Sequence, residues 1–322
     1  FSVCEPAVCR ADHPSIAEFT LANHRGTEWS LSDVSDSKLV VIAFLGTECP
    51  LAKLYGPRLE ELQTQFAARS VAFVGINSNT QDSMTEITAY VAKHKISFPM
   101  LKDVGNRVAD QFAAERTPEV FLLDEKRDVR YRGAIDDQYL VGLARDKVHR
   151  QDLAIAIDEL LNGKDVSVPQ TEPLGCHIGR AQRTEASGDV SYSNQISRIL
   201  NKRCVECHRS GEIAPFSLTR YEDVIGWEDT ILEVIADNRM PPWFASPKHG
   251  TFRNDARLTN DEKSLLRTWV ENGMPEGDKS MLPEPPKFVT GWRIPEPDQV
   301  IYVRDQPFKV PAQGIIDYQY FS

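Results

Sequence analysis

The run LVVIAFL at positions 39–45 restricts the fold of this chain more than any other feature of its sequence. An uninterrupted apolar run is typical of a strand buried on both faces, because a half-buried strand alternates apolar and polar side chains. From this run up to position 162, segments with the two-residue period of strands alternate with segments of helical period. This alternation predicts a central sheet with helices on both of its faces.

The elements expected in this first part follow from the same periods. Helices are predicted at 51–69, 83–95, 106–114 and 151–162, and strands at 17–21, 38–46, 70–77, 97–101, 119–124 and 129–135. Only residues 125–128 separate the last two strands, so we expect them to pair as an antiparallel hairpin.

The sequence changes in character after this first part. Residues 163–190 are polar and follow neither period, which is typical of a linker. Further helices are predicted at 193–202, 221–236 and 259–272, the last with a capping start at Thr259 and a stop at Gly273. From Ser280 onward the chain is rich in proline, and strand-like runs follow at 299–304 and 314–321.

A chain of 322 residues is too long for a single core, so we expect two domains and connecting segments. The predicted division is a lead-in at 1–13, an α/β domain at 14–165, a linker at 166–189, a small all-helical domain at 190–282 and a tail at 283–322 that can begin a further β domain.

Charge and hydropathy exclude several classes of function. The chain has 37 Lys and Arg against 47 Asp and Glu, a net charge of −10, and no basic block, so nucleic-acid binding is not predicted. No apolar run approaches the about 18 residues that a membrane-spanning helix needs. The chain starts at Phe1 without an export leader, and we expect a processed form or a piece of a longer protein.

The stretch Cys204-Val205-Glu206-Cys207-His208 has the C-x-x-C-H pattern of a c-type haem. In that pattern two thiols form thioethers to the porphyrin, and the adjacent imidazole coordinates the iron from the same turn. The alternatives are a zinc site and a disulfide. Zinc needs two more ligands, and the only candidates are His249 and the distant Cys176. We therefore predict haem c with iron bound to His208.

Thioether sulfur is a common second axial ligand, and two methionines qualify. Met240 follows a predicted helix and precedes two prolines, which present it at a low entropy cost. Met274 lies just past the last predicted helix and is the alternative. We predict Met240 as the distal ligand; a methionine that only packs on the porphyrin edge is the remaining reading.

Cys49 stands between the buried strand and the start of a helix, where the helix N-terminus lowers the pKa of a thiol. A buried structural cysteine is the alternative. Thr117-Pro118 falls directly before the strand at 119–124, where a proline lacks the amide that a ladder needs unless it makes a special turn, such as a cis bond.

Residues 14–165 resemble the thioredoxin-like redoxin family, in VVIAFLGTECP, RTPEVFLLD, VRYRGAIDDQY and the later LGCHIGR at 174–180. The resemblance implies a thioredoxin-like α/β fold with a thiol-redox site at Cys49 facing a cis Pro118. The chain departs from the family pattern because Gly46 and Ala52 stand where a local partner cysteine would be. Gly46 also replaces the hydroxyl residue that a peroxiredoxin carries three positions before its cysteine.

Residues 190–322 resemble the haem-c part of large exported bacterial proteins in which a redoxin domain precedes a cytochrome. The stretches that carry this resemblance are ILNKRCVECHRSGEIAPFSL, NRMPPW and WVENGMPEGD. The tail is similar to the beginning of a copper-dependent monooxygenase-like domain, but it has no cluster of copper ligands after Met274. The expected fold class is a thioredoxin-like α/β domain, then a small all-α cytochrome c domain and a partly β tail.

Six cysteines occur, and haem attachment would use two of them. Cys4 and Cys9 can close a short disulfide loop. Cys176 is then the cysteine left to pair with Cys49, and it comes from a distant part of the chain. The pair can be a redox couple or a structural bridge. The alternative is that Cys176 packs as a small buried apolar side chain. His177 beside it is expected to favour a thiolate.

Three functions remain open on the sequence. The first is an exported or periplasmic redox enzyme, a thiol-disulfide or peroxide oxidoreductase, that couples Cys49, Pro118 and Cys176 to the haem. The second is a non-enzymatic electron carrier whose redoxin domain is a docking scaffold. The third is a subunit of a larger multidomain or oligomeric assembly. In each of them a redox partner protein is expected.

Overall fold

The computed structural model of the chain divides into a compact unit that ends at Pro283 and a second unit that starts at Glu284. Within the first unit we call residues 15–165 the α/β part, residues 166–180 the connecting segment and residues 187–283 the helical segment. The residues that the structure describes are 15–140, 143–180, 187–289, 295–302, 306–310 and 316.

The α/β part contains most of the strands of the described chain. They are β1 (Thr20–Asn23), β2 (Glu28–Ser30), β3 (Leu39–Phe44), β4 (Val71–Asn77), β5 (Met100–Lys102), β6 (Arg116–Thr117), β7 (Glu119–Leu123), β8 (Val129–Gly133), β9 (Tyr139–Leu140) and β10 (Leu143–Ala144), and β11 (Cys176–His177) follows in the connecting segment. The helices of this part are α1 (Pro50–Phe66), α2 (Met84–His94), α3 (Arg107–Phe112) and α4 (Asp152–Leu161).

Seven of these strands form one sheet in the order β2-β1-β5-β4-β3-β7-β8. Strands β3, β4 and β5 run parallel, whereas β7 lies antiparallel to β3 and β8 antiparallel to β7. The predicted hairpin of the last two strands is therefore confirmed.

Strand β3 is buried along its whole length, as the apolar run predicts. Its alternate residues enter two different cores, because successive side chains of a strand point to opposite faces. Val41 and Ala43 pack on the face covered by α1, α2 and α4, and Val40 and Ile42 on the face covered by α3. Helices thus cover both faces of the sheet. Burying a leucine or phenylalanine in such a core contributes about 2 kcal/mol.

The helical segment begins with a π-helical turn at Tyr192–Ile196 and continues through α5 (Ser197–Arg203), α6 (Tyr221–Val224), α7 (Glu228–Ala236) and α8 (Asn260–Glu271). The predicted capping start of the last helix is confirmed, since the Thr259 hydroxyl accepts a hydrogen bond from the Glu262 amide at 3.1 Å. Gly273 follows the helix with a φ of 75°.

The helix predicted at 221–236 is wrong in its middle, where the chain breaks between α6 and α7. Gly226 has a φ of 90°, and a Cβ there would lie 2.2 Å from Oε1 of Gln81. The break thus brings the backbone of the helical segment against a side chain of the α/β part. This contact between distant residues overrides the local helical period.

The connecting segment is not the free linker that its polar composition predicts. The Arg132 amide donates to the Pro169 carbonyl at 3.0 Å, and the Thr171 amide donates to the Arg132 carbonyl at 3.0 Å. Further along, β11 pairs with β6. Backbone groups of this segment are hydrogen-bonded to the open edge of β8 and to β6. Neither contact requires a periodic sequence.

The tail does not form its first predicted strand in the part that the structure describes. Residues 299–302 have no regular structure, and Ile301 and Tyr302 are 78% and 82% exposed. A strand needs a partner to satisfy its backbone, and none of the described residues supplies one. The lead-in at 1–13 and the second strand at 314–321, apart from Ile316, lie outside the described residues.

Among the described residues, no helix combines the length and the apolar character that crossing a bilayer requires.

Candidate functional site

Cys49 is the N-cap residue of α1 and has no exposed surface. The loop after β3 brings it against the turn that precedes β7, where its sulfur lies 2.8 Å from the Thr117 carbonyl oxygen and donates to it when the thiol is protonated. The Thr117–Pro118 peptide bond is cis, so the special turn predicted at this proline is confirmed. Cys49 and Pro118 are therefore placed on the two sides of one site.

Cys176 reaches the same site from the connecting segment. In the β6–β11 pair, Cys176 lies opposite Thr117, the residue whose carbonyl accepts the Cys49 thiol. Gly175 has a φ of 147°, and a Cβ there would lie 2.0 Å from the Thr117 carbonyl oxygen. Only glycine allows so close an approach of the two backbones.

Cys49 and Cys176 act on each other's pKa, and both thiols are free in this structure. The structure thus brings together the two cysteines that the sequence analysis pairs. A disulfide between them stays a prediction.

The two thiols differ in acidity. Burial alone would raise the pKa of Cys49, but the Cys176 thiol and the backbone amides of Ala52 and Cys176 stabilise its ionised sulfur and lower the pKa to about 6. The pKa of Cys176 is raised, first because its thiol donates to Cys49, then by burial and by the negative charges of Cys49 and Glu233. Cys49 is therefore the thiolate of the pair, and Cys176 keeps the proton.

Gly46 shows why no partner cysteine stands three residues before Cys49. A Cβ at Gly46 would lie 2.5 Å from Nδ2 of Asn79 and 3.0 Å from Oγ1 of Thr117. No side chain fits at that position without displacing these groups. The place of a local partner is thus filled, and the partner thiol approaches from the connecting segment instead.

A buried polar network that the sequence analysis missed holds the loop before Cys49. The Asp82 carboxylate accepts hydrogen bonds from the Thr47 amide at 2.9 Å, from Asn77 Nδ2 at 2.6 Å and from Asn79 Nδ2 at 3.0 Å. The polar run after β4, INSNTQD, is the signal that could have shown it, since parallel strands end at the same edge of the sheet.

A second missed residue, Glu233, comes from α7 of the helical segment. Its Oε2 accepts from Arg116 Nη2 at 2.8 Å and from His177 Nε2 at 2.7 Å, and its Oε1 pairs with Arg239. Arg116 and His177 lie opposite each other, one step along from Thr117 and Cys176. We call Glu233, Arg116, His177 and Arg239 the clasp.

The prediction that His177 favours a thiolate at Cys176 is wrong. The His177 ring is turned to Glu233, and that carboxylate contributes to the raised pKa of Cys176. The imidazole is therefore used to hold the connecting segment on the helical segment.

The C-x-x-C-H motif forms a single turn at the end of α5. The Cys204 carbonyl accepts from the Cys207 amide at 3.1 Å and from the His208 amide at 2.9 Å, and the thiols of Cys204 and Cys207 are free. His208 Nδ1 lies 3.1 Å from the Phe216 carbonyl, which we assign as an N–H donation that leaves Nε2 unprotonated. Burial lowers the pKa of His208, which also favours the neutral ring.

The two candidate methionines differ in their surroundings. Met240 is 41% exposed after α7, whereas Met274 is 4% exposed. The Met274 amide donates to the Trp269 carbonyl at 2.9 Å, and its carbonyl accepts from the Tyr221 hydroxyl at 2.9 Å. Met274 thus belongs to the core of the helical segment, whereas Met240 is exposed to solvent.

Large apolar side chains are exposed on the helical segment near the motif and beyond it. Ile213 is 88% exposed and Phe244 99% exposed, and Phe252 is also exposed. Within the described residues, no three His, Cys, Asp or Glu side chains are grouped so as to hold a metal ion.

Comparisons with known proteins bear on the α/β part. Residues 14–132 match the AhpC/TSA family. The thiol-disulfide oxidoreductase ResA of Halalkalibacterium halodurans is 24% identical over 123 residues, which are 38% of this chain and 68% of that protein. The thioredoxin-like protein YneN of Bacillus subtilis is 26% identical over 135 residues, 42% of this chain and 74% of that protein.

The crystal structure of a hypothetical protein of Sinorhizobium meliloti is similar over a longer stretch. It is 31% identical, the match covers 54% of this chain and 96% of that one, and the TM-score is 0.50. The fold, the cis turn facing a helix-capping cysteine and these matches agree. The chain thus carries, at residues 14–132, a thioredoxin-like redoxin domain of the AhpC/TSA family.

Proposed function

We propose that this protein is a thiol-disulfide oxidoreductase whose Cys49 and Cys176 exchange a disulfide with a partner protein, and whose helical segment carries haem c. The observation that carries the first half is the position of Cys176 opposite Thr117, whose carbonyl lies against the Cys49 sulfur, together with the lowered pKa of Cys49 and the raised pKa of Cys176. A pair of thiols that share one proton is prepared to form a disulfide, because a thiolate is the attacking species in exchange. The names of the two curated relatives agree with this chemistry.

Peroxide reduction is less well supported by the same site. Gly46 carries no hydroxyl group, and its surroundings leave no room for one. The site does provide a second thiol, which disulfide exchange requires.

Equilibration with a series of glutathione redox buffers tests the exchange. We expect one Cys49–Cys176 disulfide per chain, located by peptide mapping, with a potential above about −300 mV, the range of active rather than structural disulfides. The Cys176→Ser variant should lose this transition, while a control at a partly exposed serine, Ser217→Ala, should keep it. A lower potential would indicate a structural bridge, and two unreactive thiols would leave the alternative of a non-enzymatic carrier.

The residues of the helical segment fit a covalently bound haem. Free thiols at Cys204 and Cys207 stand on the same turn as His208, whose ring presents Nε2. Met240 is exposed, and the exposed Ile213 and Phe244 are apolar surface that a porphyrin would cover. Haem c supplies one-electron exchange when it is bound. Both the haem and the dithiol suit an exported protein, so we also propose a periplasmic or otherwise exported location.

Acid–organic extraction of the chain, produced together with the machinery for haem attachment, tests this half. We expect the haem to remain on the polypeptide, and to be extracted from a Cys204→Ser, Cys207→Ser double variant. Met240→Ala should lose the sulfur-to-iron charge-transfer band, with Met281→Ala as the control. Retention of the band in Met240→Ala would transfer the ligand role to Met274.

A further inference from the structure

We propose that the partner's sulfur binds at Cys176, and that Cys49 is the buried thiol that leaves and returns. This inference rests on the proposed function and gives the two cysteines distinct roles within it. The mixed disulfide then forms on the connecting segment and not at the N-terminus of α1.

Access is the first argument. Cys49 is 0% exposed, as are Leu45 and Ala52 around it. A sulfur that attacks a disulfide must reach the sulfur atom directly, and exchange therefore depends on which sulfur is accessible. No exposed surface of Cys49 offers such an approach.

Cys176 is placed differently. It is partly exposed, as are its neighbours Leu174, Gly175 and His177. Strand β11 pairs on one side with β6, and on its other side the His177 amide donates to the Thr230 hydroxyl at 3.0 Å. Cys176 thus lies on a short, partly exposed segment between the α/β part and α7, and it packs against the core that contains the fully buried Cys49.

The chemistry of the leaving group agrees with this geometry. When a partner thiolate attacks Cys176 in the Cys49–Cys176 disulfide, a partner–Cys176 bond forms and the Cys49 sulfur leaves with the electron pair. A thiol of low pKa is the better leaving group, and the pKa of Cys49 is lowered to about 6.

The second step of the exchange releases Cys176 and accounts for the protons and electrons. The partner's second thiolate attacks the partner sulfur of the mixed disulfide, so that the partner disulfide forms and Cys176 is released. Cys176 takes one proton, the other goes to solvent, and Cys49 stays ionised. In total the partner dithiol loses two electrons, and the Cys49–Cys176 disulfide gains them.

Reaction of the oxidised full chain with one equivalent of reduced glutathione tests the order of events. The reaction is quenched with acid, free thiols are alkylated, and each cysteine is mapped by mass spectrometry. We expect at least about tenfold more glutathione on Cys176 than on Cys49. An adduct mainly on Cys49 would overturn the inference and leave the proposed function intact. A chain that forms no Cys49–Cys176 disulfide would remove the proposed function and the inference with it.

Two matched variants distinguish the effect of sulfur exposure from the effect of the thiol pKa. Serine at either position preserves the covering atom, so Cys49→Ser leaves Cys176 partly exposed and Cys176→Ser leaves Cys49 buried. With oxidised glutathione, we expect the adduct on Cys49→Ser to form at least about tenfold faster than the adduct on Cys176→Ser. Thiolate content alone would give the opposite order, because the Ala52 amide still lowers the pKa of Cys49 in Cys176→Ser, whereas burial and Glu233 still raise the pKa of Cys176 in Cys49→Ser. Faster reaction of Cys176→Ser would therefore contradict the inference.

Discussion

The acidity of Cys49 depends more on one distant residue, Cys176, than on any other group that favours its ionisation. Burial opposes its ionisation, and the Cys176 thiol is the largest of the groups that favour it. The helix N-terminus contributes through the Ala52 amide, as the position after β3 predicts, but it comes second. Removing Cys176 should therefore raise the pKa of Cys49.

The pH titration of the Cys49 thiolate checks this dependence. In the reduced protein, the ultraviolet thiolate absorbance that is lost in Cys49→Ser should have a midpoint near pH 6. In Cys176→Ala we expect the midpoint to rise by about one unit or more, which is a tenfold loss of thiolate at low pH. Cys176→Ser keeps a hydroxyl donor and should show a smaller rise. An unchanged midpoint in Cys176→Ala would show that the helix N-terminus alone sets the pKa.

The same titration has a consequence for stability. The pKa of Cys49 is lowered on folding from the usual 9.0 to about 6. The ionised thiol therefore favours the folded state of the reduced protein, fully above the unfolded pKa, and this contribution is lost as the pH falls through about 6.

At the level of elements, the sequence was sufficient wherever local pattern decides structure. The apolar run of β3, the hairpin of β7 and β8 and the cap at Thr259 were all predicted, because period, turn length and capping act within a few residues. The break at Gly226 was not predicted, since it depends on Gln81 in another part of the chain. Strand β11 is only two residues long and has no period of its own.

The residues of the candidate site likewise differ in whether local sequence pattern predicts them. Cys49, Pro118 and the pairing with Cys176 could be proposed from position and from the remaining cysteines. The Asp82 and Glu233 carboxylates could not, because they act on residues that are 35 and 117 positions away. A charged residue gives no local signal of a partner at that distance, and only the folded chain shows it.

In the first unit as a whole, the clasp joins the α/β part, the connecting segment and the helical segment at one carboxylate. Glu233 binds Arg116 beside Thr117 and His177 beside Cys176. It also pairs with Arg239, which precedes Met240, the predicted haem ligand. A single side chain of α7 therefore contacts the strand that carries Cys176 and the loop that carries Met240.

Loss of the Glu233 charge should therefore change the reactivity of Cys176. In Glu233→Gln the carboxylate that raises the pKa of Cys176 is gone, and Arg116, which lowers it, is no longer neutralised. We expect alkylation of Cys176, measured by peptide mapping below its pKa, to become about three- to tenfold faster because more thiolate is present. The stability loss should be about 1 kcal/mol, since the clasp is partly exposed. Asp229→Asn, an exposed charge change on the same helix, is the control, and equal Cys176 rates in the two variants would show that the clasp does not act on the dithiol.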